Sequence, residues 1–477
     1  MLTATILGSG LASLDGTVVN VALPRIGADL DAGLTALQWT INAYTLTLAG
    51  LLLLGGSLGD RLGRRRVFVI GIIWFTAASL GCAAAPSVGL LIAMRALQGV
   101  GAALLTPGSL AILEAVFRRE DRAPAVGAWS GLGGVATAIG PVLGGVLVGA
   151  SSWGWRLVFL INVPIAAVVI WLAGRYVPET RDEQAAGRLD VPGAVLAALG
   201  LAGVVYGLTE GPRRGWTPVF TTSLLVGVVL LAAFVTVEAR GPNPMMPLSL
   251  FRSRIFAGAN VVTFVVYAAL SGALFLLPVQ LQRVSGFTPV AAGSALLPIT
   301  AVMLTLSARM GRLASRIGPR RPMTVGPILA GAGLALLARI GADASYAVDV
   351  LPALLVFGLG LAVTVAPLTA TVLAAAPAHQ VGVASAVNND VARAAGLLAV
   401  AVLPGLAGIT PHAYENPALL STGFHHAVLI AAGLCALGGA LSALLIDDEA
   451  ARPEESRPVD PTVNCTCCPI GAPNARH

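Results

Sequence analysis

"GGSLGDRLGRRR", residues 55–66, sets one acid and four arginines, laced with glycines, between two uncharged runs. The left run is "NAYTLTLAGLLLL" (42–54) and the right run is "VFVIGIIWFTAASLGCAAA" (67–85). Each belongs to an apolar stretch of about 20 residues, the length that crosses a bilayer core as a helix. A charged, glycine-rich loop between two such stretches reads as the turn of a membrane hairpin. The same alternation runs outward in both directions. It predicts fourteen spans, at 3–23, 38–58, 67–86, 89–113, 124–149, 156–174, 191–209, 219–238, 256–280, 289–308, 322–341, 347–373, 381–408 and 424–446.

Composition agrees. The 477 residues are 56% hydrophobic and 11% charged, where soluble domains carry roughly 25% charge. That excludes an ordinary soluble enzyme. The formal charge of +6 is read as topology rather than as a nucleic-acid footprint. All 29 basic side chains are arginine. With Met1 in the cytoplasm, eighteen arginines fall in the inner loops and six in the outer ones, as the positive-inside rule requires. Both termini are therefore expected in the cytoplasm. The N-terminus has no basic leader and carries Asp15 within its apolar run, so it is read as a first span and not a signal peptide. Residues 447–477 are polar and expected to be disordered. Their Cys465, Cys467 and Cys468 are read as reduced thiols, with soft-metal binding as the alternative.

The opening loop has an echo. Gly311 to Arg321, "GRLASRIGPRR", matches Gly56 to Arg66 at six of eleven positions. The echo lies eight spans on, not six. The simplest account is two homologous six-helix halves with two extra helices between them. The expected division is 1–175, 176–255 and 256–446, followed by the 447–477 tail.

Five stretches, in this order, resemble the fourteen-helix drug:proton antiporters of the major facilitator superfamily. "LDGTVVNVALP" (14–24) resembles the group's first-helix motif, and "GSLGDRLGRRR" the superfamily's inner loop. "RALQGVGAA" (95–103) is similar to the fourth-helix motif, and "GPVLGG" (140–145) to the fifth-helix antiporter motif, with Ala136 where a glycine is common. "WGWRLVFLINVP" (153–164) is also typical. The resemblance covers about Leu11 to Ile446. It implies an all-α membrane protein of the major facilitator fold that exports drugs or other toxic lipophilic compounds in exchange for protons.

Ionisable groups at membrane depth are functional candidates. Asp15 lies about 18 Å along the first span at 1.5 Å per residue, with small residues on its face. It reads as a proton-coupling or cation-recognising acid, or else as a structural anchor. Arg95 cannot release its proton, so it must either bind a carboxylate or lower a neighbour's pKa; the resemblance implies proton coupling, and a structural salt bridge is the alternative. Asp390 lies near the middle of the thirteenth span with Arg393 one turn on, a possible i,i+3 pair. Asp390 is read as recognising a cationic substrate or as a second proton site, against a self-neutralised pair with no transport role. Gly140 and Pro141 are expected to interrupt the fifth span, with Gly144 and Gly145 allowing close helix approach. In the opening loop Gly56, Asp60, Arg61, Gly63, Arg64 and Arg65 are expected to form a cytoplasmic gate. There Asp60 either pairs with an arginine or caps a helix.

Asn20, Asn42, Gln98, Asn388 and Asn389 are expected to line a cavity or tie helices together; Asn162, Asn260 and Gln280 belong to the same class. HExxH and Walker A motifs are absent from the sequence, and its GxSxG match, Gly55 to Gly59, lies in a membrane hairpin rather than on a strand–helix turn, so neither an enzyme nor an ATP-driven pump is supported. No cofactor or metal is expected. The expected setting is a bacterial cytoplasmic membrane, with the protein a monomer. Its partners are protons, lipid and a lipophilic small molecule, cationic compounds included. A dedicated exporter of a self-made antibiotic, siderophore or metabolite is one rival. A lipid-handling or non-transporting membrane protein is the other.

Overall fold

A computed structural model describes residues 1–181, 190–241, 244–377 and 380–448. Among them, fourteen helices are long and apolar enough to cross a membrane. They are α1 (Leu2–Asp29), α2 (Leu34–Leu62), α3 (Arg64–Ala84), α4 (Val88–Val116), α5 (Arg119–Gly149), α6 (Gly154–Tyr176) and α7 (Val191–Arg214). Then follow α8 (Pro218–Arg240), α9 (Arg254–Arg283), α10 (Pro289–Ile317), α11 (Arg320–Arg339), α12 (Tyr346–Ala374), α13 (Val381–Leu406) and α14 (Pro417–Leu445). Every predicted span has its helix. Helices are the open-ended way for a chain to satisfy its backbone groups in lipid.

The helix pairings repeat. α1 packs on α4, α5 and α6, α4 on α2 and α3, and α3 on α6. Eight helices later, α9 packs on α12, α13 and α14, α12 on α10 and α11, and α11 on α14. Glycines permit the closest pairings. A Cβ on Gly101 of α4 would stand 2.6 Å from the Phe75 amide nitrogen of α3, and one on Gly333 of α11 would collide with the Phe357 backbone of α12. The two sets of helices meet through α1 with α9, α2 with α13 and α5 with α10. The α7–α8 hairpin leans on this seam, with α7 touching both α2 and α13.

An even number of crossings puts both ends of the helical chain on one face, called here the termini face. The apolar core shows which face is sealed. One buried cluster joins Val18, Ala22 and Ile26 of α1 to Ala273 and Leu277 of α9, and extends through Leu337, Val400 and Phe424. It lies at the far face and draws on both sets. Toward the termini face the core splits. One cluster holds only residues between Ala4 and Val177, the other only residues between Leu250 and Ile446. The far face is closed by shared packing, while toward the termini face the two sets share no buried cluster among the described residues.

Two expectations are corrected. Gly140 and Pro141 do not interrupt the fifth span, because α5 is continuous from Arg119 to Gly149. A proline removes one hydrogen bond of the ladder, and the rest of the helix carries through. The start of the tail is also ordered, since Asp448 accepts a hydrogen bond from Arg320 N at 2.9 Å. The tail cysteines lie outside the described residues.

Candidate functional site: a buried ion pair and a paired gate

Asp15 is fully buried at the middle of α1. The helices around it supply what a buried carboxylate needs. Arg95 Nη1 of α4 donates to Asp15 Oδ2 at 2.5 Å, and Gln98 Nε2 donates to Oδ1 at 2.9 Å. Asn162 Nδ2 of α6 donates to the same Oδ1 at 3.1 Å. Gln98 and Asn162 also donate to Ser79 Oγ of α3, at 2.8 and 3.2 Å. Arg95 is 0% exposed and reaches the Thr40 carbonyl at 3.0 Å, its guanidinium 4.2 Å from the Tyr44 ring centroid. Five helices thus converge on one ion pair. Unpaired charges at this depth are costly, which is why three amide or guanidinium donors face two oxygens.

Sequence reading placed Asp15 and Arg95 separately, and the fold brings them together. Gln98 belongs to this cluster and not to the open cavity. Ser79 was missed. A lone serine in an apolar run carries no signal unless α3 is already known to face α1.

The opening loop is a sharp joint. α2 ends at Leu62, Gly63 adopts φ 109°, and α3 starts at Arg64. Asp60 pairs with Arg64 across the joint at 2.8 Å. It does not cap the helix. That role falls to Glu179, beyond α6, whose carboxylate accepts from the backbone N–H of Arg65 at 3.0 Å and of Arg66 at 3.2 Å. An anion suits the N-terminus of α3. Arg65 also donates from Nη1 to the Val177 carbonyl at 3.1 Å, and Arg64 N to the Thr180 carbonyl at 2.8 Å. Gly56 lies beside Pro107 of α4, and Arg61 is half-buried.

The echo repeats this construction. Gly318 has φ 86°. Asp448, beyond α14, caps Arg320 as Glu179 caps Arg65. Arg320 Nε donates to the Ala443 carbonyl at 2.9 Å, the counterpart of the Arg65 bond. Asp60 and Arg64 align with Ser315 and Pro319, so their ion pair has no counterpart there. Glu179 and Asp448 were missed because each is remote in sequence from the turn it caps.

In "GPVLGG", each glycine serves a contact. Gly140 lies against Thr17, and a Cβ on Gly144 would stand 2.7 Å from the Val18 carbonyl, both on α1. A Cβ on Gly145 would stand 2.5 Å from the Pro289 carbonyl of α10, and Gly293 faces the Pro141 carbonyl. α5 is therefore held between α1 and α10 at the closed face.

The remaining polar candidates divide. Asn388 ties α13 to α9, donating to Asn260 Oδ1 at 3.1 Å and Thr263 Oγ1 at 2.8 Å. Asn389 is exposed and bonds only the Ser385 carbonyl. Asn20 Oδ1 and both amide atoms of Asn42 are buried without a partner. Among the described residues the possible Asp390–Arg393 pair is not formed. Asp390 Oδ1 and Arg393 Nε are both buried without a hydrogen bond. Arg393 lies instead within electrostatic reach of Tyr44 on α2.

Comparison with known proteins agrees with this architecture. The chain is 38% identical over 390 residues to Multidrug resistance protein Stp of Mycobacterium tuberculosis H37Rv, covering 81% of this chain and 72% of that protein. It is 38% identical over 463 residues to Puromycin resistance protein pur8 of Streptomyces alboniger, covering 94% and 91%. It is 36% identical over 403 residues to the Tetracenomycin C resistance and export protein of Streptomyces glaucescens, covering 84% and 74%. The solved POT family transporter PepTSo shares the fold, with a TM-score of 0.68 at 17% identity over 93% of this chain and 97% of that one. The xylose transporter XylE from E. coli, in its inward open conformation, superposes with a TM-score of 0.60 at 15% identity over 94% and 96%. Residues 5–401 match the family profile, and the chain belongs to the Major Facilitator Superfamily.

Proposed function

We propose that this protein is a secondary transporter that exports drugs or other toxic lipophilic compounds in exchange for protons. One observation carries the reading: an ion pair sealed midway along its helices, in a molecule whose apolar core is shared at one face and divided at the other. The relatives named for resistance and export supply the direction and the substrate class. Arginine-rich loops support a cytoplasmic termini face in a bacterial cell, and on that reading the state described faces inward. The repeated pairings support two six-helix halves, 1–175 and 256–446, with 176–255 as an inserted hairpin. The working unit is proposed to be the monomer.

The halves rock about their shared seam. In the inward-facing state Asp15 is fully buried and held by Arg95, so substrate in the cavity does not reach it. Asp15 takes up its proton only once the outer ends of α1 and α9 part. Proton binding then releases Arg95 and commits the molecule to return. One charge across 100 mV supplies about 2.3 kcal/mol. Asp60 and Glu179, acting on the α2–α3 joint, latch the cytoplasmic side when it closes.

Efflux from proteoliposomes under an imposed pH gradient tests the reading, together with resistance profiling in a host lacking its own pumps. Wild type should extrude at least one lipophilic compound in a gradient-dependent way, and Asp15→Asn should not. Equal protection by both across all compounds would refute coupling through Asp15. Asp60→Asn should slow efflux with membrane insertion intact, and normal efflux would remove the latch.

A further inference from the structure

Arg95 and Arg393 both lie well inside membrane-crossing helices, and only one of them is neutralised. Arg95 has Asp15. Arg393 is the thirteenth of the 26 residues of α13, and among the described residues no carboxylate lies within ion-pairing distance of it. Its Nε is buried without a hydrogen bond. A guanidinium cannot shed its charge, and an unmatched charge at this depth calls for a partner.

The surroundings narrow what that partner is. Asp390 is one turn away and also holds a buried, unbonded oxygen. On α2, which packs against α13, Asn42 is 0% exposed with neither amide atom bonded. Arg393 Nε and Asn42 Nδ2, on two packed helices, both lack acceptors, and the arginine fork matches a carboxylate or phenolate. An apolar cluster shared by α2, α7 and α13 includes Leu46, one helical turn from Asn42, and Leu397, one turn from Arg393.

Resting on the export reading above, we infer that Arg393, assisted by Asn42, anchors the acidic group of lipophilic organic acids, so that acids are a preferred substrate class. Asp390 is the internal competitor: it can swing to neutralise Arg393 when no acid is bound.

The test is equilibrium binding to the purified full chain in detergent, with fluorescein as a lipophilic acid and ethidium as a permanent cation. Wild type should bind fluorescein. Arg393→Gln should weaken fluorescein at least tenfold more than it weakens ethidium. Arg393→Lys, which keeps the charge but not the fork, should lose less, and this separates recognition from misfolding. Asp390→Asn should hold or tighten fluorescein binding. The inference is overturned if Arg393→Gln weakens the two probes equally or leaves fluorescein within twofold. Wild type binding ethidium but not fluorescein overturns the acid class alone. Binding of neither probe also overturns the acid class, while the export reading stands or falls with the proteoliposome efflux.

Discussion

At the residue scale, the informative feature is how completely Asp15 is met. Both oxygens face donors, and those donors come from α4 and α6. Removing one member of such a pair leaves the other buried and uncompensated, at a cost of about 3–5 kcal/mol. Arg95→Ala should therefore lower the thermal unfolding midpoint in detergent sharply. Asp15→Asn/Arg95→Gln, which removes both charges, should recover much of that loss without restoring efflux. A double variant as unstable as Arg95→Ala alone would show that packing, not charge, holds the cluster. Asp15 and Arg95 were legible in the sequence because charge in an apolar run is conspicuous. Their pairing was not, since it depends on helices 80 residues apart. Ser79 and the backbone carbonyl of Thr40 gave no signal, because neither is unusual in a membrane helix.

At the element scale, glycines decide which helices can slide and which are locked. Gly145 of α5 sits against the Pro289 carbonyl of α10, where any side chain would collide. Overpacking of this kind costs roughly 1–3 kcal/mol. It acts only on the state in which the outer face is closed. Gly145→Val should thus shift the population toward outward-facing, by about 5- to 150-fold at 1.4 kcal/mol per decade. A cysteine at Gln282, whose amide now bonds the Val21 carbonyl, reports it: labelling by a membrane-impermeant maleimide should quicken in the Gly145→Val background. Unchanged labelling would place the seal elsewhere. The helices themselves were readable from hydropathy, because lipid dictates both their length and their backbone pairing. The continuity of α5 through Pro141 was not, since local propensity marks proline as a breaker and tertiary packing overrides it. The caps by Glu179 and Asp448 were equally hidden, because a repeat in the loops does not reveal the acids that close on them from beyond α6 and α14.

At the scale of the whole molecule, the repeat noticed in eleven residues extends to the full set of helix pairings, and this bears on how the molecule moves. α5 with α10 is the counterpart of α13 with α2, so the outer seal consists of two equivalent contacts flanking the α1–α9 crossing. Rocking must break both together. The α7–α8 hairpin does not follow this symmetry. Trp39 of α2 donates to Glu210 of α7 at 3.1 Å, and Gly50 admits Ala198 of α7 at close range, so the hairpin is tied by side chains to the first half. It should travel with α2 and slide over α13. The seal itself can be fixed covalently. A Cβ on Gly149 of α5 would stand 3.2 Å from Val290 Cγ2 of α10 with Val290 Cβ beyond 4 Å, near the upper end of the roughly 3.5–4.5 Å Cβ separation a disulfide spans. The native cysteines within the described residues, Cys82 and Cys435, are both buried. In Gly149→Cys/Val290→Cys, oxidation should hold the outer face shut and stop efflux, and a reductant should restore it. Cross-linked protein that still transports at the unoxidised rate would mean the outer ends of α5 and α10 need not part, and that rocking about this seam is the wrong motion.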